Sequence, residues 1–189
     1  MNLRSFLVSL SAAILLLGCD SPSPGEVAPA ASEPVAAPAA RSELGSIRKA
    51  GRSMPVSHYL ILPAEKPHQL RVLFTPSALN EEERARVLEQ HRMPFLALAF
   101  KDSPDPAQWD WYPFALAEFT FTGEPWGPAT ISYFYLMSYG IAQPNHTDNI
   151  NVSGQRGGLT RLAYDGEQLV LHLQASGSDG VQWDLHIGE

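Results

Sequence analysis

The stretch "GLTRLAYDGEQLVLHLQ", residues 158–174, decides how this chain is read. Apolar and polar residues alternate on both sides of Asp165-Gly166, the period of a strand with one face in a core and one in water. Asp-Gly between two such runs is the signal of a two-residue hairpin turn. A short loop, "SGSDG" (176–180), then leads into "VQWDLHI" (181–187), which alternates again, so the C-terminus reads as a meander of three antiparallel strands. With that loop closing the second hairpin, Ala175 pairs with Val181 and His172 with Asp184. Leu169, Leu171 and Leu173 then share the core face with Trp183, Leu185 and Ile187.

Working upstream, "VSHYLIL" (56–62), "LRVLFT" (70–75), "FLALAF" (95–100) and "FALAEFTFTG" (114–123) also read as strands. In "TISYFYLMSYGI" (130–141), Ile131, Tyr133, Tyr135, Met137 and Tyr139 take one face and Phe134 and Leu136 the other. Apolar groups on both faces predict a strand covered on both sides, or one that faces a groove. One helix is expected, over about residues 78–91. Asn80 and Glu83 form a capping pair, and the acidic triplet Glu81 to Glu83 suits the positive end of a helix. Glu82 and Arg86 sit at helical neighbour spacing on a solvated face. The expected fold is mostly β: an antiparallel β-sandwich or open barrel with one α-helix, in a single domain over residues 43–189.

Two groups of residues are candidates for a site. The predicted second hairpin sets His172, Asp184 and His186 together on its outer face. Two imidazoles and a carboxylate can hold a divalent metal or make an acid–base pair, while a solvated sheet face explains the same alternation more simply. No cofactor is otherwise expected. The second group is aromatic: residues 109–139 hold 11 of the chain's 18 aromatic side chains. "DSPDPAQWDWYP" (102–113) places Trp109, Trp111 and Tyr112 in a proline-rich loop, and Trp126 follows in another. Amphipathic rings on rigid loops suit stacking on a sugar, peptide or protein partner; the alternative is that they cap the end of the core. Asp102, Asp105, Asp110, Glu118 and Glu124 lie near them, and glycoside hydrolysis needs a pair of carboxylates. Strong catalytic signatures are absent: there is no Gly-x-Ser-x-Gly, HExxH, CxxC or phosphate loop, and "GQRGG" (154–158) opens no helix and reads as a turn or bulge.

The amino terminus is more informative. Arg4 precedes an uncharged apolar run over residues 5–18, the layout of an export signal and too short for a membrane span of about 20 residues. It ends in Leu16-Leu17-Gly18-Cys19, and Cys19 is the only cysteine of the chain. This segment resembles the lipobox of bacterial lipoproteins. The resemblance covers residues 1–20. It implies cleavage after residue 18, diacylglycerol on the Cys19 sulfur and acylation (palmitate or similar) of the new amino terminus. Several acyl chains make a stable anchor where one binds reversibly. It also implies a periplasm-facing place in the cell envelope, and Asp20 leans towards the inner membrane. Residues 19–42, with prolines at 22, 24, 29, 34 and 38, read as a tether between anchor and domain.

The net formal charge is −7 and becomes one unit more negative without Arg4. An acidic surface repels phosphate backbones, which argues against nucleic-acid binding. The reading is a membrane-anchored envelope lipoprotein whose non-catalytic domain binds a protein or an envelope polymer. A periplasmic immunity or inhibitor lipoprotein acting on a toxin or hydrolase is one alternative. A hydrolase or metal-dependent enzyme is the other.

Overall fold

The structure, a computed structural model, describes residues 43–99, 101–153 and 158–188. The signal, Cys19, the tether and most of the "GQRGG" turn lie outside the described residues. The domain is a β-sandwich of two antiparallel five-stranded sheets, which decides against the open barrel. The first sheet has the order β2 (Arg52–Val56), β1 (Gly45–Lys49), β10 (Gln182–Ile187), β9 (Leu169–Ser176), β8 (Leu159–Tyr164). The second has the order β3 (His58–Leu62), β4 (Gln69–Thr75), β5 (Phe114–Phe121), β6 (Ile131–Tyr139), β7 (Thr147–Ser153). Only Ser57 separates β2 from β3, so one extended run leaves the first sheet and enters the second, a common corner in packed sheets. That is why 56–62 reads as a single strand.

The C-terminal meander is present, with the expected faces and a different register. Asp184 pairs with Gln174, and His186, not Asp184, lies opposite His172. The offset is two residues, so no side chain changes face: Leu169, Leu171, Leu173, Trp183, Leu185 and Ile187 are all buried. The first hairpin also differs from expectation. Tyr164 pairs with Leu169, which leaves four residues in the loop. The Asp165 carboxylate organises it by accepting the backbone N–H groups of Gln168 (2.7 Å) and Glu167 (2.9 Å). Those bonds hold its pKa below the ordinary aspartate value, so their support is present above that value and fades as pH falls through the lowered one.

Between the sheets lies the main core, where Trp183 meets Phe74 edge-on with ring centres 6.1 Å apart. A second apolar cluster covers part of the outer face of the second sheet. Here Leu73, Phe114 and Leu116 pack under Val87 of α1 (Glu81–Glu89) and Ala97 and Leu98 of α2 (Pro94–Leu98). β4 is buried along its whole length between these two clusters. α1 has the capping box expected of Asn80 and Glu83. Asn80→Ala is expected to cost about 0.5–2 kcal/mol in chemical denaturation, since it removes the acceptor of a helix N–H.

α2 is a second helix where "FLALAF" reads as a strand. Pro94 supplies the reason: at the first helical position its missing N–H is not needed and its fixed φ suits the helix. A short apolar run carries no period long enough to separate helix from strand. The β1–β2 hairpin was not foreseen, because "GSIRKAGRSMPV" (45–56) shows little alternation in its apolar residues. Among the described residues no helix is long and apolar enough to cross a membrane.

Candidate functional site

On the outer face of the first sheet, the His172 and His186 rings lie 5.2 Å apart and tilted. Asp184 Oδ1 lies 3.2 Å from His186 Nε2 and accepts a bond from Gln174 Nε2 at 3.2 Å. The two-residue offset in register brings the imidazoles together and moves Asp184 away from His172. Among the described residues no three His, Cys, Asp or Glu side chains are grouped to hold a metal ion.

The proline-rich loop spends its rings on the fold. Trp109 is 2% exposed and Tyr112 3%, which overturns the expectation that they stand out as anchors. Trp109 Nε1 donates to Ile141 O (3.2 Å) and Trp111 Nε1 to Gly140 O (2.7 Å), so both indoles tie the loop to the turn after β6. Trp111 is half-buried beneath the Arg52 guanidinium, 5.6 Å from the ring centre. Tyr112 Oη donates to Ser77 O, and Lys101 lies 5.0 Å over its ring. Of the nearby carboxylates, Glu118 binds Arg71 Nε at 2.7 Å. Asp105 accepts the backbone N–H of Ala107 within its own loop.

Trp126 stands elsewhere. Its ring stacks on Phe121 with centres 5.2 Å apart, and it lines a groove of about 580 Å³ together with Glu124, Tyr164, Asp165, Gln168 and Val170. The volume is that of a small-ligand cleft, but several of its polar groups are already engaged. Tyr164 Oη donates to Gly166 O and Asp165 holds its own turn. The Trp126 N–H is buried rather than presented to a ligand.

The outer face of the second sheet is arranged differently. α1 and α2 cover its Leu73, Phe114, Leu116 and Met137 side and leave β6 and β7 uncovered beyond it. There Tyr133 is 36% exposed, Tyr135 half-buried, and Asn149 and Asn151 exposed. Each tyrosine reaches diagonally past its direct cross-strand partner. Tyr133 Oη donates to Asn151 Oδ1, Tyr135 Oη to Asn149 Oδ1 at 2.5 Å, and Tyr139 Oη to Asn145 Oδ1 at 2.7 Å. Burial, then the charge of the facing Glu118, then Tyr133 push the Tyr135 hydroxyl above the ordinary tyrosine range, so it remains a donor. Tyr139 stacks on Phe114 at 4.9 Å and belongs to the covered side.

The two-faced pattern of β6 was legible in the sequence; the asparagines were not singled out. Their signal was the alternation in "TDNINVS" (147–153), which puts Asn149 and Asn151 on one face and Asp148 and Ile150 on the other. Also missed were two paired cations, Arg71 buried and Lys49 half-buried. Arg71, 2% exposed, binds Glu118, Glu65 and the carbonyls of Pro63 and His91. Lys49 bridges Asp148 and Asp179. An arginine inside the apolar run "LRVLF" was the available sign for the first. Compared with family models, curated proteins and solved structures, the chain matches none.

Proposed function

We propose that the chain is a lipid-anchored envelope protein whose folded domain binds a protein or an envelope polymer without catalysis, through the uncovered face of the second sheet. The observation that carries the binding role is the Tyr133–Asn151 and Tyr135–Asn149 pairing on an otherwise uncovered sheet face. Side chains held in one geometry before a ligand arrives lose little entropy when it binds. The anchoring role rests on the lipobox resemblance of Leu16 to Cys19.

Two measurements test the reading. Mass spectrometry of the protein from membranes is expected to find Cys19 at the amino terminus bearing diacylglycerol; an intact or unlipidated terminus rejects the anchor. A photo-crosslinking residue in place of Tyr133 is expected to capture a discrete species in intact envelopes. The same residue in place of Thr160, exposed on β8 of the other sheet, is expected to capture none. Equal capture from both positions rejects the face.

A further inference from the structure

We propose that this face takes a neutral glycan chain, an inference that rests on reading the face as the binding surface. The first argument is charge. In an acidic protein, Tyr133, Tyr135, Asn149 and Asn151 carry none, and the adjoining Glu118 has Oε1 committed to the buried Arg71. Four uncharged side chains offer an ion no counter-charge, so the platform favours an uncharged partner.

The second argument is hydrogen-bond inventory. Each asparagine accepts a tyrosine O–H through Oδ1, and a side-chain amide keeps two N–H donors besides. A sugar ring presents an apolar C–H face flanked by hydroxyl oxygens. A tyrosine ring meets the first through dispersion and weak C–H···π contact, and an amide N–H meets the second. The two tyrosine–asparagine rungs repeat along β6 at about 6.8 Å, the spacing of alternate strand residues, so the platform runs in a line suited to a chain. A protein hot spot instead wants large apolar anchors in a desolvated pocket. The other exposed large apolar side chains of the described residues, Met93, Phe95 and Leu96, are at α2.

The test is calorimetry of the detergent-solubilised processed protein with chitohexaose and with cellohexaose. Saturable binding of at least one is expected, weakened tenfold or more by Asn149→Asp with Asn151→Asp, which removes the amide N–H donors of both rungs and adds two charges. The thermal midpoint reports whether that variant folds; if it does not, Tyr133→Ala at its exposed position serves instead, with the same expected loss. Binding that survives the substitutions in a folded protein overturns the site. No saturable heat with either sugar overturns the glycan class. In that case capture of a discrete protein from Tyr133 leaves the binding face standing with a protein partner, and no capture removes both readings.

Discussion

Lys49→Met is expected to destabilise the domain by about 1–3 kcal/mol, the usual cost of leaving a buried polar group, here the Asp148 carboxylate, without its main partner. Lys49 ends β1 in the first sheet, and its ammonium reaches Asp148 on β7 of the second and Asp179 in the β9–β10 loop. The Asp148 side chain is 1% exposed, its Oδ2 is buried without a partner, and its Oδ1 also faces His146 Nε2 at 2.9 Å. With methionine at position 49, a carboxylate that water cannot reach loses its principal counter-charge. Urea denaturation of Lys49→Met, Asp148→Asn and the double variant measures the coupling. The double variant should be less destabilised than the sum of the two single changes, because it leaves no buried charge. Simple additivity would show that the pair does not act as a pair.

The same cluster sets a pH window. Burial opposes the Lys49 ammonium, but its bonds to Asp148 and Asp179 and their charges outweigh that, and its pKa lies above the ordinary 10.5. Its contribution is therefore complete below that value and is lost as pH rises through the raised pKa. Burial likewise opposes the Asp179 carboxylate, yet Lys49 and the Val181 N–H hold its pKa below the ordinary 3.8. That contribution is present above 3.8 and is lost as pH falls through the lowered pKa. The contribution of this cluster should be flat between these limits, and Lys49→Met should reduce the alkaline slope of the domain and shrink the acid one.

Gly45→Ala is expected to cost about 3 kcal/mol or more, through backbone rather than charge. Gly45 has φ of +134°, and a Cβ there would lie 2.1 Å from Asp184 O and 2.8 Å from Leu185 Cα. Both atoms belong to the backbone of β10, the strand with which β1 pairs. Neither can rotate aside, so β1 would have to move off the sheet. That movement threatens the bonds from Leu44 N to Val56 O (2.7 Å) and from His186 N to Leu44 O (2.8 Å). Gly51→Ala is the control: its φ is +80° but nothing lies within 4 Å of the added carbon. It should cost only backbone strain, about 1 kcal/mol. If thermal or urea denaturation gives equal losses for the two, close packing at Gly45 is not what demands the glycine.

The elements that could be read in advance are those whose signal is local. Alternation sorted Leu169 through Ile187 into inner and outer faces because side chains on a strand change sides at every residue. Asn80 and Glu83 marked a helix start because the cap is closed within four residues. The failures share a cause as well. "FLALAF" is too short for its period to choose between strand and helix. Trp109 and Tyr112 looked like ligand anchors because a proline-rich loop gives no sign of what lies behind it; the Gly140-Ile141 turn and Ser77 that receive them are about thirty residues away.

By itself, then, the sequence determined that this is an antiparallel β domain with a capped helix, and which side chains of its C-terminal strands point inward. It also carries the lipobox resemblance that places Cys19 as an expected anchor. Only the tertiary structure decided that His172 faces His186, that Lys49 meets Asp148 across the two sheets, and that helices cover one side of the second sheet and leave Tyr133 and Tyr135 open. Face follows from a two-residue period within one strand. Register and partnership follow from loop closure and from how two sheets share one core, and those are settled between segments as far apart in the chain as Gly45 and Leu185.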